Sequence, residues 1–238
     1  MPKPFLSVIV LCYKAESTLI ELADKLIQHL RKTRLDYEVI LVANTWNNKK
    51  DSTPSVARRI ARSNRLFRVV SHLKQGGMGW DVLSGLKKAR GEILVFVDGD
   101  AQNPLEDVMR VVRALQRKKA DLAKTVRVRR FDGTFRTVQS IWYNRLFRIL
   151  YQDRSVSDVN GKPKAMTRSL YERLHLSSTD WFIDAEIVYK TRKLGGNIVE
   201  IPTVFFMNPT RPSFVHIQTA FEFLKNMVRY WVKPPVVA

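Results

Sequence analysis

Short apolar runs alternate with amphipathic segments through the first half of the chain. The runs are rich in β-branched residues and cover residues 5–13, 38–43 and 92–97. This composition, without hairpin turns between the runs, is typical of buried parallel strands. Apolar positions with helical spacing mark the segments that separate them, at residues 17–31, 55–64 and 78–89. The alternation predicts an α/β fold with a doubly wound sheet, in which ligands bind at the carboxyl ends of the strands.

The second half has a more mixed pattern. It predicts a helix at 105–118, a strand at 120–128, a basic helix at about 137–151, a loop at 153–163 and helices at 169–174 and 184–194. A strand at 197–206 and a C-terminal helix at about 217–232 follow. There is no internal repeat, low-complexity tract or Gly/Ser linker, so the 238 residues are expected to form a single domain with one core.

Cysteine content and the length of the apolar runs restrict the expected setting. Cys12 is the only cysteine and lies inside an apolar run, so neither a disulfide framework nor a zinc cluster is expected, and a reducing cytosolic setting is favoured. No small-residue cleavage site follows that run, so no secretory signal is expected. No run approaches the roughly 18 apolar residues of a spanning helix. The sequence therefore predicts a soluble protein or one that lies on a membrane surface.

Net charge indicates a class of partner without choosing among its members. Lysine and arginine number 41 against 22 acidic residues, a formal net charge of +19. The resulting field attracts polyanions, which include nucleic acids, anionic lipid head groups and phosphorylated substrates. A basic surface with the ion-pair networks of a thermophile would give the same balance.

A candidate metal site follows the third predicted strand. Asp98 and Asp100 stand one residue apart where the chain leaves that strand, and Gln102 adds a neutral oxygen. Such oxygens suit a hard divalent cation, Mg or Mn, which could neutralise charge on a diphosphate leaving group. Taken alone, two aspartates beside a glycine more often form a simple turn. The buried strand before the motif, Pro104 after it and a Gly-x-Gly helix start upstream favour the metal site.

Residues 77–92 and 98–104 together resemble the central signature of family-two glycosyltransferases, with the dolichyl-phosphate mannose synthase branch nearest in pattern. The resemblance covers roughly residues 5–205. It implies a GT-A fold, a doubly wound and mostly parallel mixed sheet flanked by helices, with a C-terminal amphipathic helix. It also implies a nucleoside-diphosphate sugar donor, Mg or Mn held by Asp98, Asp100 and Gln102, and inverting displacement. Residues 1–118 would then bind the donor and 119–214 the acceptor, with 215–238 as an amphipathic tail.

The nucleotide end departs from the family pattern. The family's first strand leads into a Pro-x-Tyr-Asn-Glu turn, of which this chain keeps only Tyr13, and Asn44 stands where the second residue of an acidic pair is expected. An amide presents both a donor and an acceptor, so base preference would change. Alternatively, Asn44 belongs to an ordinary polar loop. The donor-binding positions implied in this half are Leu11, Tyr13, Asn44, Gly79, Asp98 and Gly99.

Three further family segments occur in the acceptor half. The positions that match them are Arg127, Arg130, Asp132, Ser140, Asn144, Asp158 and Lys164, while Ile141 replaces an arginine of the pattern. The resemblance implies that Arg127, Arg130 and Lys164 hold the donor diphosphate or the acceptor phosphate, since arginine suits bidentate phosphate binding. Arg211 would be a displaced phosphate contact. The competing interpretation is that the arginines form a solvated strand edge.

The acceptor decides which residue is expected to be catalytic. A lipid phosphate is already anionic near neutral pH, so Asp158 would position groups rather than remove a proton. A hydroxyl acceptor needs a base, and Asp158 and Asp184 are the candidates. Both aspartates could instead cap helices.

Two segments combine basic and large apolar residues, residues 137–154 and the C-terminal helix. Basic amphipathic helices with aromatic residues can lie in the head-group layer of an anionic membrane. The same pattern also fits helices that cover the sheet and expose only their basic edges. The first interpretation predicts a cytoplasmic enzyme on the inner face of the membrane.

The leading hypothesis is sugar transfer from a nucleotide sugar to a polyprenyl (dolichyl) phosphate or a related lipid-linked acceptor. Transfer to a soluble glycan or a protein hydroxyl is the alternative. Nucleotidyl transfer is less favoured because residues 13–18 contain no Gly-rich phosphate loop. A nucleic-acid-binding role would leave the Asp98 motif unexplained, so no specific nucleic-acid partner is expected.

Overall fold

The computed structural model describes residues 3–46, 50–153, 155–207 and 217–233, with residues 217–223 described by their backbone alone. Strands and helices alternate through most of this chain. The strands are β1 (Leu6–Leu11), β2 (Tyr37–Val42), β3 (Phe67–Val70), β4 (Ile93–Asp98), β5 (Leu122–Arg130), β6 (Lys164–Thr167) and β7 (Ile198–Phe205). The helices are α1 (Thr18–Arg31), α2 (Thr53–Ser63), α3 (Met78–Lys88), α4 (Glu106–Arg117), α5 (Thr134–Leu150), α6 (Arg168–Leu174), α7 (Ile183–Lys193) and α8 (Ile217–Val232).

The strands form a seven-stranded sheet in the order β3-β2-β1-β4-β6-β5-β7. Neighbours are parallel except that β6 runs antiparallel to both β4 and β5. Leu11 is opposite Asp98 in the register of β1 and β4, so these two strands end at the same edge. The predicted mixed, mostly parallel sheet flanked by helices is confirmed.

Two strands were not predicted from the sequence. β3 has four residues at the edge of the sheet and carries Arg68, so its apolar run is short. β6 begins with Lys164, a fully buried lysine, where the sequence pattern predicts the end of a loop. Polar residues inside a strand conceal it from hydrophobic patterning, because that method assumes that buried positions are apolar.

Helices cover both faces of the sheet because successive strand residues point to opposite sides. In β1, Val8 and Val10 pack beneath α1, α2 and α4, whereas Ile9 and Leu11 belong to the core shared with α3, α6 and α7. Burying one such aliphatic side chain stabilises the fold by roughly 1.5–3 kcal/mol. The two cores hold the central strands, and hence the strand ends that carry Asp98, in fixed positions.

The predicted C-terminal helix is present as α8, with the predicted bounds. It packs beside α5, and the Tyr151 hydroxyl donates to the Met227 carbonyl at 3.0 Å. The rings of Phe182 and Tyr230 stack with centroids 4.3 Å apart. Within the described residues, no helix combines the length and apolar character needed to cross a membrane.

Candidate functional site

A cleft of about 1080 Å³ opens at the carboxyl ends of the central strands. One end is lined by Leu11, Tyr13, Trp46, Lys74, Met78 and Asp81, and the middle by Asp98, Gly99, Asp100 and Lys162. The other end is lined by Arg127, Arg130, Asp132, Arg136, Trp142, Leu146, Leu224 and Met227. The cleft therefore runs from an aromatic end, past carboxylates, to an end that is both basic and apolar.

The aspartate motif is held against the first strand. Asp98 ends β4, and the Gly99 amide donates to the Leu11 carbonyl at 2.9 Å. A Cβ atom on residue 99 would lie 2.8 Å from that carbonyl oxygen, so only glycine allows this close approach. The Gln102 amide donates to Asp100 Oδ1 at 3.1 Å, which closes the turn. The turn places both predicted carboxylates in the cleft.

Gln102 connects this turn to the end of β7. Its side-chain Nε2 donates to the Phe206 carbonyl at 2.8 Å, and the Phe206 amide donates to the Gln102 carbonyl at 2.9 Å. The amide nitrogen is therefore engaged within the protein. Of its side-chain atoms, Oε1 is the one with the chemistry of a metal ligand.

The donor set fits a divalent cation that is shared with a substrate. Asp98 and Asp100 supply carboxylate oxygens, which Mg and Mn prefer. Among the described residues, no group of three or more His, Cys, Asp or Glu side chains is arranged to hold a metal ion. A Mg-type site commonly uses one or two carboxylates and completes its shell with water and substrate phosphates. The residues present fit that arrangement.

Two lysines of one segment have different surroundings. Lys162 lines the cleft, and its Nζ lies 3.2 Å from Asp98 Oδ2 and 3.3 Å from Asp184 Oδ2. Burial opposes its charge, but Asp184 and then Asp98 outweigh burial and raise the pKa of Lys162. Lys164 lies fully buried behind the cleft and binds Asp184 Oδ1, and burial lowers the pKa of Lys164 to about 7. The structure thus places Lys162 in the cleft wall and Lys164, the predicted phosphate-binding residue, behind it.

Asp184 faces both lysines from the first turn of α7. Burial favours its neutral form, but Lys162 and then Lys164 outweigh burial and lower the pKa of this carboxyl. Its side chain is 1% exposed and accepts from two ammonium groups. A carboxylate so paired is a weak proton acceptor, so the geometry favours a positioning role for Asp184 over a base.

Asp158 has a similar environment. It accepts from Arg127 Nε at 2.7 Å and from Arg127 Nη2 at 2.8 Å, with the Arg127 amide at 3.2 Å. Burial would raise its pKa, but Arg127 outweighs burial and holds the pKa of the carboxyl far below its usual range. The structure therefore supports the positioning alternative for Asp158. It also accepts hydrogen bonds from two nitrogens of the Arg127 guanidinium, the group that the resemblance assigned to phosphate binding.

Arg130 keeps one nitrogen unengaged. Its Nε and Nη2 donate to the two oxygens of Asp132 at 3.0 and 2.8 Å, and Arg136 Nη1 lies 3.1 Å from Asp132 Oδ2. Arg130 Nη1 is buried and has no hydrogen-bond partner among the described residues. Burial lowers the pKa of Arg136; Asp132 opposes this shift, and repulsion from Arg130 and Arg127 reinforces it. Two arginines against one aspartate leave this end of the cleft short of negative charge.

Asn44 does not line the cleft. It is fully buried at the end of β2, where its Nδ2 donates to Asp81 Oδ1 at 2.9 Å and to Ser84 Oγ at 2.8 Å. Its Oδ1 accepts from the His72 amide at 2.8 Å. The amide is therefore used within the protein. Asp81 connects Asn44 to the cleft, because its other oxygen binds Lys74 in the cleft wall.

Lys74 belongs to the aromatic end of the cleft. Its Nζ lies 4.6 Å from the centroid of the Tyr13 ring and 6.0 Å from that of Trp46. Patterning missed Lys74 and Asp81 because they come from a loop and a helix rather than from the strand ends. The available signal was a charged residue on the inward face of α3.

Gly79 serves packing rather than ligand contact. Its amide donates to the Asp180 carbonyl at 3.0 Å, and the Trp80 amide donates to the Thr179 carbonyl at 3.0 Å. A Cβ atom at position 79 would lie 2.3 Å from the Ser178 carbonyl oxygen. The first amides of α3 are thus satisfied by residues 178–180, which differs from the expected donor contact. Arg211 lies outside the described residues.

Comparison with curated proteins gives relatives with named acceptors. The dolichol-phosphate mannosyltransferase of Pyrococcus furiosus is 25% identical over 231 residues, which are 94% of this chain and 62% of that protein. The undecaprenyl-phosphate 4-deoxy-4-formamido-L-arabinose transferase of Pseudomonas syringae is 26% identical over 151 residues, 63% of this chain and 43% of that protein. The chain spans about half the length of the curated relatives that it matches.

Solved structures share the fold. Glucosyl-3-phosphoglycerate synthase from Mycobacterium tuberculosis in complex with UDP has a TM-score of 0.71 and 19% identity, covering 98% of this chain and 82% of that one. The same enzyme with Mn²⁺, UDP and glucosyl-3-phosphoglycerate has a TM-score of 0.68 and 21% identity, covering 96% and 77%. These similarities confirm the predicted GT-A fold.

The family is shown by a match over most of the chain. Residues 7–174 match the model of the family described as Glycosyl transferase family 2. The matched residues include the aspartate motif and both lysines that line the cleft, Lys74 and Lys162. The match agrees with the sequence resemblance. The chain belongs to glycosyl transferase family 2 and has a GT-A fold.

Proposed function

We propose that this glycosyltransferase moves a sugar from a nucleoside-diphosphate sugar to the phosphate of a polyprenyl lipid, with inversion and with Mg or Mn bound at Asp98 and Asp100. The observation that carries the acceptor is the pair of arginines Arg130 and Arg136, which share Asp132 as their counter-charge where they line the cleft. A phosphate would supply the missing negative charge.

The donor fits the other part of the cleft. Its base would lie against Tyr13 and Trp46, and its diphosphate beside the aspartates and Lys162. A divalent cation there would neutralise the charge of the leaving diphosphate. Support comes from the structural relative from Mycobacterium tuberculosis, which was solved with Mn²⁺ and UDP.

A phosphate acceptor agrees with the state of the two candidate bases. Asp158 and Asp184 are both ion-paired and buried, and the pKa of each is lowered. A lipid phosphate needs no strong base, because its second ionisation falls near pH 6. A sugar or protein hydroxyl would need one. The curated relatives support the same acceptor class, since their names specify undecaprenyl phosphate and dolichol phosphate.

The apolar surroundings of the acceptor end suit a lipid. Trp142 and Leu146 of α5 and Leu224 and Met227 of α8 line the cleft next to the arginines. Both helices also expose large apolar side chains outside it, among them Ile141 and Trp231. We infer that α5 and α8 lie on the anionic, cytoplasmic face of a membrane, where the cleft can receive a lipid phosphate.

The test compares acceptor kinetics of the wild type with those of Arg130→Gln, using UDP and GDP sugars, Mn²⁺ and undecaprenyl or dolichyl phosphate. Arg130→Gln should raise the KM for the acceptor about tenfold or more and leave the donor KM unchanged, because a charge-assisted hydrogen bond to phosphate is lost. Arg129→Gln is the matched control, since Arg129 is the exposed neighbour on the same strand. A rise in the donor KM alone, or transfer to free glycans but not to lipid phosphates, would contradict the proposal.

A further inference from the structure

A protein ammonium group lies next to the first carboxylate of the metal motif. Lys162 Nζ is 3.2 Å from Asp98 Oδ2, its side chain is 9% exposed, and it lines the cleft. A lysine side chain is flexible and carries a compact charge that can follow an anion over a short distance. The position next to Asp98 therefore holds a positive charge that belongs to the chain itself.

The ion pairs of Lys162 are looser than an optimal pair. Its distances of 3.2 Å to Asp98 and 3.3 Å to Asp184 exceed the approximately 2.7–2.9 Å of a strong ammonium–carboxylate hydrogen bond. An ammonium group has three N–H donors, and these two carboxylates account for two of them. Lys162 can thus donate to a ligand in the cleft without leaving Asp184.

The charges around Lys162 affect a metal ion and a diphosphate in opposite ways. Lys162 lies directly beside Asp98, so a divalent cation that binds Asp98 without nucleotide would be repelled by this ammonium group. A diphosphate would instead be attracted by Lys162. Once the diphosphate binds, its negative charge favours a cation at Asp98 and Asp100.

We propose that Lys162 is a resident cation of the donor site: it binds the diphosphate of the nucleotide directly, supports nucleotide binding without divalent metal, and weakens metal binding until the nucleotide is present. This inference rests on the proposed nucleoside-diphosphate donor. It assigns to Lys162 a direct contact with substrate. It also makes nucleotide and metal bind cooperatively, because each relieves the charge imbalance that the other creates.

The experiment measures binding rather than turnover. UDP and GDP are titrated into the full chain by calorimetry, once in EDTA and once in Mn²⁺, and Mn²⁺ alone is titrated by electron paramagnetic resonance. The wild type should bind one nucleotide in EDTA. Lys162→Gln should weaken that binding about tenfold or more, lose less in Mn²⁺, and bind Mn²⁺ alone more tightly.

Two further variants serve as controls. Lys118→Gln removes the same charge from an exposed position at the end of α4 and should match the wild type. Lys162→Arg keeps the charge and should retain metal-free binding, which separates loss of charge from loss of folding.

The possible failures are distinguishable. Nucleotide binding by the wild type only in Mn²⁺ would overturn the role of Lys162 and leave the proposed function intact. Unchanged binding by Lys162→Gln in EDTA would do the same. Binding of neither nucleotide in either buffer would overturn both the donor assignment and this inference.

Discussion

Single residues in the cleft wall are held by buried ion pairs rather than by apolar packing alone. The pair of Arg127 and Asp158 is bidentate, with side chains 11% and 6% exposed. Removing one partner of such a pair leaves a buried charge without compensation, which costs more than the pair contributes. Substitution of either partner is therefore expected to destabilise the fold, whereas loss of a proton-transfer group alone would not.

Asp158→Asn should lower the free energy of unfolding by about 3 kcal/mol or more, because the Arg127 guanidinium stays buried without its counter-charge. Urea denaturation at pH 7 measures this change. Asp24→Asn, at an exposed position of α1, is the control and should change stability by less than about 0.5 kcal/mol. A variant as stable as the wild type would contradict the structural role of this ion pair.

The pH dependence of this contribution has a definite sign. The folded-state pKa of Asp158 is lowered, so the folded protein binds its proton less readily than the unfolded chain does. The stabilisation is complete above the ordinary carboxyl pKa of about 4 and declines as pH falls below it. The stability difference between the wild type and Asp158→Asn should therefore narrow in acid.

At the scale of elements, helix α3 depends on close contact with residues 178–180. The contact satisfies the first amides of the helix and places Met78 and Asp81 in the cleft. The two glycines at the start of α3 differ in how much space each leaves for a larger side chain. Gly79 has backbone oxygen atoms within van der Waals overlap of an added Cβ, whereas at Gly77 the nearest atom would be 3.5 Å away.

Gly79→Ala should destabilise the protein by roughly 1–3 kcal/mol, because the added methyl group forces α3 away from residues 178–180. Gly77→Ala is the matched control and should cost less than about 1 kcal/mol, since its methyl group meets ordinary contact distances. Thermal and urea unfolding of the two variants provide the comparison. Equal stability of both would contradict the packing role assigned to Gly79.

At the scale of the whole molecule, charge and exposed apolar area coincide on α5 and α8. Arg145, Lys225 and Arg229 are exposed on these helices. The large apolar side chains exposed with them include Phe135, Ile141, Ile149, Val228 and Trp231. Each helix also has an inward residue, Phe147 or Met227, in the core. Each helix thus buries one side chain in the core and still presents apolar surface outward.

The protein should co-sediment with vesicles that contain anionic lipid at low ionic strength. Binding should weaken in about 1 M salt, where the Debye length falls to about 3 Å. The double variant Ile141→Glu, Trp231→Glu should bind about tenfold or more weakly, because it removes buried apolar area and adds repulsion. Leu73→Glu, an exposed apolar position outside α5 and α8, should bind like the wild type. Co-sedimentation that is equal for all three proteins, or absent at low salt, would contradict the membrane proposal.

The order of strands and helices in the first half was accessible from the sequence because its signals are local. β1, β2 and β4 are continuous apolar runs, and the helices between them have strong apolar periodicity. Asp98 and Asp100 were identifiable for the same reason, since they follow directly on a buried strand. Pattern reading reached this part of the site without knowledge of any long-range contact.

Long-range contacts decided the rest of the site. The sequence pattern does not reveal β6 because one of its buried positions is a lysine. Lys164 lies opposite Lys124 of β5, and both lysines are buried. Whether Lys162 or Lys164 faces the cleft depends on how that strand sits between β4 and β5. Long-range contacts also decide the surroundings of two other side chains. The amide of Asn44 donates to Asp81 and Ser84, and Nη1 of Arg130 has no hydrogen-bond partner within the part of the chain that the structure describes.

The sequence by itself thus determined the fold class, the family resemblance and the carboxylate motif, because each depends on residues adjacent in the chain. The tertiary structure decided which charged groups are already paired and which face the cleft, because pairing depends on groups far apart in sequence. Asp158 and Arg127, separated by 31 residues, show the difference, since either alone reads as a catalytic or phosphate-binding residue. Their pairing makes Asp158 a support for Arg127, which lines the cleft.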